Sequence, residues 1–247
     1  MTTQNPPMHL TICWLYPTAM NIYGDRGNVL VLEQRARWRG IEVTTIGSGI
    51  GDPLPEACDL FFIGGGQDGE QVAVAHDLQG AKAEAVRSSV EDGAALLAIC
   101  GGYQLLGHEY RPHDAAPIPG IGLVDLVTVA GPERFIGNVV VESEFGTLVG
   151  FENHSGLTTI GPGVEPLGRV KVGHGNNGKD GLEGVRYRNA IGCYLHGSLL
   201  PKNPVLADWL IMKALERRYG PVVLAPLDDS LEQSAHAAAT ARAIETR

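Results

Sequence analysis

Residues 94–107 read AALLAICGGYQLLG: an unbroken apolar run, then Cys100, then two glycines and a helix-like continuation. An apolar run without alternation is what a strand needs when both faces of its sheet are covered. A nucleophile on a tight strand-to-helix turn stands clear of the backbone at the sheet's carboxyl edge. Small flanking residues let that turn close, and Ala98, Gly101 and Gly102 supply them. The N-terminus of the following helix favours a thiolate. A buried structural cysteine at a glycine turn reads equally well from this stretch alone.

Outward from it, strands and helices alternate. Residues 9–16 (HLTICWLY) and 60–63 (LFFI) predict buried strands, and 41–46 predicts another beyond the helix of 29–39 that Gly40 closes. A helix is expected over 78–91, a strand over 94–99 and a helix over 102–107. The second half has short strand candidates at 122–129, 138–141, 167–172, 184–187 and 190–195, with GHGNNGKDGLEG (173–184) as a turn-rich loop. Residues 203–219 predict a helix, with Asn203 as cap and Pro204 at its first position. The fold class expected is α/β: an open, mostly parallel, flavodoxin-like sheet covered by helices on both faces, with an antiparallel extension in the second half. A disordered segment over 1–7, one domain over 8–220 and a tail over 221–247 with helical potential complete the organisation.

Composition narrows the function. A net charge of −9 argues against nucleic acid and anionic membrane surfaces as main partners. No apolar run approaches a membrane span, and the polar start lacks the pattern of a signal peptide, so a cytoplasmic protein without stable membrane insertion is expected. The cysteines, Cys13, Cys58, Cys100 and Cys193, have neither CxxC nor metal-ligand spacing. They predict thiols in a reducing compartment and no metal site.

His196 gives Cys100 its meaning. It follows the apolar strand AIGCYL, at the end where open α/β sheets gather their sites. A Cys–His pair from two strand ends suits thiol acyl transfer, although a lone strand-end histidine is more often structural. Gly64, Gly65 and Gly66 directly follow a strand, so their N–H groups can converge on an oxyanion or simply form a turn. No phosphate-binding GxxxxGK[ST] pattern occurs, and no ATP site is visible in this chain.

FIGGGQDGEQ, LAICGGYQLLG and CYLHGSLLPKNP, in that order, resemble the class I glutamine amidotransferases, nearest to their cobyric-acid-synthase-like branch. YPTAMNIYGDRGN (16–28), RFIGN (134–138), GFENHSG (150–156) and the 173–184 loop are similar to the family of glutaminase subunits, typified by GatD, of lipid II isoglutaminyl synthases. The likeness runs over residues 8–219. It implies a glutaminase that takes L-glutamine, needs no cofactor of its own, and forms a heterodimer with a MurT-like Mur ligase subunit carrying ATP and Mg. The ammonia would amidate the D-glutamate of lipid II in peptidoglycan synthesis. The resemblance implies Cys100 as nucleophile and His196 as base, Gly65, Gly66 and Gly101 as oxyanion and backbone contacts, and Gln104 as a glutamine contact. Arg134 is the candidate for the substrate α-carboxylate, because a guanidinium fork matches a carboxylate, with a surface loop arginine as the plain alternative. Asn153 and His154 line the pocket or face the partner.

One departure stands out. Many class I members place a Glu two residues after the catalytic His, where this chain has Ser198. The orienting carboxylate is therefore expected from the synthetase subunit, with Glu152 as the in-chain alternative. Two rivals are an amidotransferase domain of a corrinoid amidase, disfavoured by 16–28 and 150–156, and a catalytically inactive flavodoxin-like scaffold, disfavoured by the set Cys100, His196 and Gly65.

Overall fold

The computed structural model describes residues 7–246, so the expected disordered segment lies, apart from Pro7, outside the described residues. The first half runs β1 (His9–Leu15), α1 (Arg26–Trp38), β2 (Glu42–Ser48), β3 (Leu60–Ile63), α2 (Asp68–Asp77), α3 (Ala81–Glu91), β4 (Ala95–Ile99) and α4 (Gly101–Leu105). The second half runs β5 (Glu109–Arg111), β6 (Ile118–Pro119), β7 (Leu126–Ser143), β8 (Gly146–Ile160), β9 (Gly168–Val172), β10 (Leu182–Glu183), β11 (Val185–Tyr187) and β12 (Ala190–Cys193). Helices α5 (Pro204–Tyr219) and α6 (Ser230–Glu245) end the chain.

The first sheet has the order β11-β12-β4-β3-β1-β2. Every pairing in it is parallel except β11 with β12. β3 and β4 are continuous apolar runs, and β1 is apolar apart from His9 and Thr11, because helices cover both faces. β2, at the edge, alternates in burial instead. The chain leaves β1 in one direction for β2 and then returns past it to β3 and β4. With right-handed crossovers this reversal puts α1 on one face and α2 and α3 on the other, and opens a crevice between the carboxyl ends of β1 and β3. The site lies there. α5 packs against α1 and the sheet through Leu206, Leu210 and Leu215, all fully buried in the main core.

The second sheet, β10-β9-β7-β5-β6 with β8 on β7, is the antiparallel extension, although β5 meets β7 in parallel. Here the expectations were coarse. The strand candidates at 122–129, from Leu126 onward, and at 138–141 fall in the single strand β7, and its partner β8 alternates in burial from Gly150 to Thr158. The helix expected over 78–91 is α3, which starts only at Ala81 because Gly80, at φ +64, turns the chain; the helix before it, α2, which Leu78 caps, was not expected. Asn203 precedes α5 but makes no side-chain cap; its amide instead donates to the carbonyls of Val149 and Leu199 and accepts from Val149 N–H. The tail beyond 220 contains α6, whose Ala243 packs with Val140, Val149 and Val172 on the second sheet. Buried Arg35 holds it through Asp229, at 2.6 and 3.1 Å, while also gripping Asp208. All four cysteines are free and buried.

Candidate active site

Cys100 ends β4 in a left-handed conformation, φ 51 and ψ −107, which costs a non-glycine residue of order 1–3 kcal/mol. Its N–H is tied to Cys193 O at 2.8 Å, and its carbonyl receives Gln104 N–H at 3.0 Å. The turn closes only on glycine: a Cβ at Gly102 would stand 2.8 Å from both Ile63 O and Gly64 O. A Cβ at Gly101 would come within 3.3 Å of Gly66 N, so the backbones of the two loops nearly touch beside the thiol. Neither Gly66 nor Gly101 N–H has an acceptor among the described residues. Gly65 differs, because its N–H donates to Asp25 Oδ2 at 2.6 Å.

His196 lies just past β12 and is fully buried. Its backbone pairs with Phe151 of β8 in both directions, at 2.8 and 3.2 Å. Tyr23 covers the imidazole edge-on, with ring centroids 5.0 Å apart. Asp25 Oδ1 is 3.6 Å from His196 Nδ1, both side chains are fully buried, and neither ring nitrogen makes a hydrogen bond in the resting chain. Burial disfavours the imidazolium, but the negative charges of Cys100 and Asp25 outweigh it and raise the pKa to about 10. Ser198 does not face the imidazole. Its hydroxyl donates to Gly24 O at 2.5 Å, pinning the segment that carries Asp25.

In front of the thiol lies a cavity of about 780 Å³. Cys100, Gly66, Gly101, Gln104, Arg134, Asn153 and His154 line it. Gln104 is fixed from both sides, accepting from Gln71 Nε2 at 2.8 Å and donating to Tyr194 OH at 3.1 Å. Arg134 Nη1 donates to Asn153 Oδ1 at 3.1 Å, and no carboxylate among the described residues pairs with its guanidinium. His154 stacks on Tyr194 at 3.5 Å. Its Nδ1–H donates to Gly156 O at 2.8 Å, and burial lowers its pKa to about 4, so it is neutral at pH 7.

A family profile of CobB/CobQ-like glutamine amidotransferase domains matches residues 11–204. The chain belongs to that family. It is 42% identical to subunit GatD of the glutamine-hydrolysing lipid II isoglutaminyl synthase of Staphylococcus aureus, over 91% of this chain and 93% of the relative. The subunit of the same name from Streptococcus pneumoniae is 40% identical over 93% and 90% of the two chains. A crystal structure of a glutamine amidotransferase from Thermotoga maritima superposes with a TM-score of 0.55 at 16% identity, covering 94% of each chain, which bears out the fold. This amidotransferase is thus a glutamine-hydrolysing enzyme by family.

Its geometry places the residues singled out by sequence unequally. Cys100, Gly66, Gly101, Gln104, Arg134, Asn153 and His154 share one cavity, with His196 buried alongside. Gly65 is committed to Asp25. Glu152 does not approach the imidazole as an orienting acid: its carboxylate accepts from His174 N–H, His174 Nδ1–H and Gly175 N–H. Asp25 was missed, although it sits in the motif MNIYGDRGN. The signal was its place in the loop after β1, at the sheet's reversal point, where a polar residue faces the loop after β3. No group of His, Cys, Asp and Glu suited to a metal occurs among the described residues. Nor is any described helix long and apolar enough to cross a membrane.

Proposed function

We propose that this amidotransferase is the glutaminase subunit of a cytoplasmic lipid II isoglutaminyl synthase, passing ammonia to a MurT-like Mur ligase subunit. The observation that carries the chemistry is the strained Cys100 beside a buried His196 whose pKa is held near 10. With the imidazolium beside it, the thiolate Sγ adds to the glutamine carboxamide carbon. The oxyanion formed receives the free N–H groups of Gly66 and Gly101. Collapse expels ammonia, which takes its proton from His196, and leaves a γ-glutamyl thioester. His196 then deprotonates the water that hydrolyses the thioester to glutamate.

Asp25 orients the imidazole through Nδ1 and stabilises its charged form, the role for which sequence offered only Glu152 or the partner. Arg134 takes the α-carboxylate, and Gln104 keeps one amide N–H for substrate. The reaction needs no cofactor on this chain, with ATP and Mg on the synthetase. The identity of the two GatD relatives, covering nearly their full lengths, supports this acceptor over a corrinoid. The test is glutamine turnover by this chain alone and with a MurT-like synthetase and lipid II, with a diazo-ketone glutamine analogue to label the nucleophile. Expected are an adduct on Cys100 and amidated lipid II only in the combined reaction. An adduct on another cysteine, or no amidation with both subunits, overturns the reading.

A further inference from the structure

The loop at 173–181 and the acid Glu152 are left unused by the chemistry above, yet they form a connected device. β7 and β8 pair regularly up to Phe135 opposite His154, then resume at Ala130 opposite Gly156. Residues 131–134 therefore stand against Ser155 alone, and Arg134 projects from this excursion into the cavity. An excursion out of the ladder loses the hydrogen bonds that would fix it. Among the described residues the Arg134 guanidinium donates only to Asn153, to Oδ1 at 3.1 Å and to the backbone O at 3.5 Å.

His113 Nε2–H donates to Gly131 O at 3.0 Å at the far end of the excursion, and the end that carries Arg134 is fixed by the next residue. The Phe135 ring stacks on His174, 4.3 Å between centroids and 5° from parallel, and meets His154 edge-on at 5.5 Å. Gly178, at φ +69, brings the loop so close that a Cβ there would be 2.9 Å from Phe135 Cζ. His174 is placed by Glu152, which is 1% exposed. That carboxylate accepts His174 Nδ1–H at 2.6 Å, His174 N–H at 3.0 and 3.1 Å, and Gly175 N–H at 3.1 Å. A buried carboxylate with three charge-assisted donors is a rigid anchor.

We infer that Glu152 is a positioning residue for the α-carboxylate subsite, acting through His174 and Phe135 on Arg134. The inference rests on the proposed role of Arg134. A guanidinium held in its bound position loses less freedom when the carboxylate arrives, so the anchor acts on glutamine binding and not on the reacting carboxamide.

The test is steady-state glutaminase kinetics on the full chain with its synthetase, for Glu152→Gln, Arg134→Ala and the double variant. His174→Ala, whose side chain is half exposed, serves as a second probe that leaves the core intact. Glu152→Gln and His174→Ala are expected to raise KM for glutamine about 2- to 20-fold with kcat nearly unchanged. In the Arg134→Ala background neither adds a further rise. With 4-aminobutanamide, which is glutamine without its α-carboxylate, wild type and Glu152→Gln perform alike. A loss confined to kcat, or a full additional rise in the Arg134→Ala background, overturns the inference and leaves the Arg134 reading standing. An unchanged KM in Arg134→Ala itself strikes at that reading instead.

Discussion

Every residue of β4 from Ala95 to Ile99 is fully buried, and the next residue, Cys100, has its backbone forced to φ 51. β7, in the second sheet, breaks its ladder at residues 131–134 and lets Arg134 reach into the cavity. In the function proposed above, the first region supplies the reacting groups, and its buried imidazole is kept charged by the acids around it. The second supplies a cation whose partner among the described residues is a neutral amide. A parallel sheet covered on both faces holds a nucleophile and its base at fixed strand ends. A half-solvated hairpin can instead give up ladder bonds locally to present a recognition group. Damage to the first region should therefore appear in kcat, and damage to the second in KM.

The largest effect tests the first half of that division. Cys100→Ala should reduce glutamine hydrolysis by on the order of 10⁴ or more, while Cys13→Ser, Cys58→Ser and Cys193→Ser should retain near-normal turnover once folded. Measurable turnover by Cys100→Ala, or its loss in any of the other three, would place the nucleophile elsewhere.

Next in size is Asp25→Asn. Loss of the carboxylate beside an imidazole leaves the ring but spoils its tautomer and charge, and kcat should fall by about 10² to 10⁴. Adding the synthetase should not restore it if the orienting acid belongs to this chain. The His196 pKa gives an independent readout. Because the folded value, about 10, is raised above the ordinary 6.5, the group's stabilisation is complete below about pH 6.5 and is lost as pH rises through 10. Asp25→Asn and Cys100→Ala should each pull that alkaline loss to lower pH. An NMR titration of His196 that stays near 10 in both variants would remove the two charges as its cause.

The same contrast explains how much was legible in the sequence. β1, β3 and β4 are short, mostly apolar runs bounded by glycine or proline, and local pattern suffices to find them. Cys100 and His196 follow such runs directly, so their positions at strand ends were readable. The β7–β8 hairpin was fragmented because the excursion at 131–134 interrupts its pattern, and motif-like residues in GFENHSG hid the alternation of β8. Asp25 was invisible for another reason. Its meaning depends on Gly65 N–H, 40 residues away, and on His196, across the reversal of the sheet. Ser198 tells the same story: it stands where an acid is usual and its hydroxyl donates to Gly24 O, while the acid nearest the imidazole, Asp25, comes from the loop after β1.

The second half of the division is tested by Arg134→Ala, with KM for glutamine expected to rise about 10- to 150-fold, the loss of a charge-assisted pair. Arg134→Lys should recover only part of this, because an ammonium cannot grip a carboxylate bidentately. A kcat defect equal to the KM defect would mean that the hairpin also takes part in the chemistry.

The smallest effect asks how far the hairpin's support extends. α6 lies against β7 and β8 through Ala243, on the strand portions around Val140 and Val149, away from the 131–134 excursion. It is anchored by Asp229 to Arg35, which is 2% exposed and keeps a second carboxylate in Asp208. Asp229→Asn therefore does not strand a buried charge; it removes charge-assisted bonds that Asp208 partly duplicates. The cost should be about 1–3 kcal/mol, below the 3–5 typical of an uncompensated buried ion. That corresponds to a fall in Tm of about 2 to 10 °C, measured by calorimetry. Asp208→Asn should cost more, since Asp208 also receives Arg39 at 2.6 and 3.0 Å. Both kinetic constants for glutamine should stay at wild-type values in Asp229→Asn, because the excursion holding Arg134 is fixed from the other side, by Phe135, His174 and Glu152. A KM that rises along with the loss of Tm would show that α6 steadies the hairpin as one rigid body, and the division between a catalytic sheet and a locally held recognition loop would have to include the C-terminal helix.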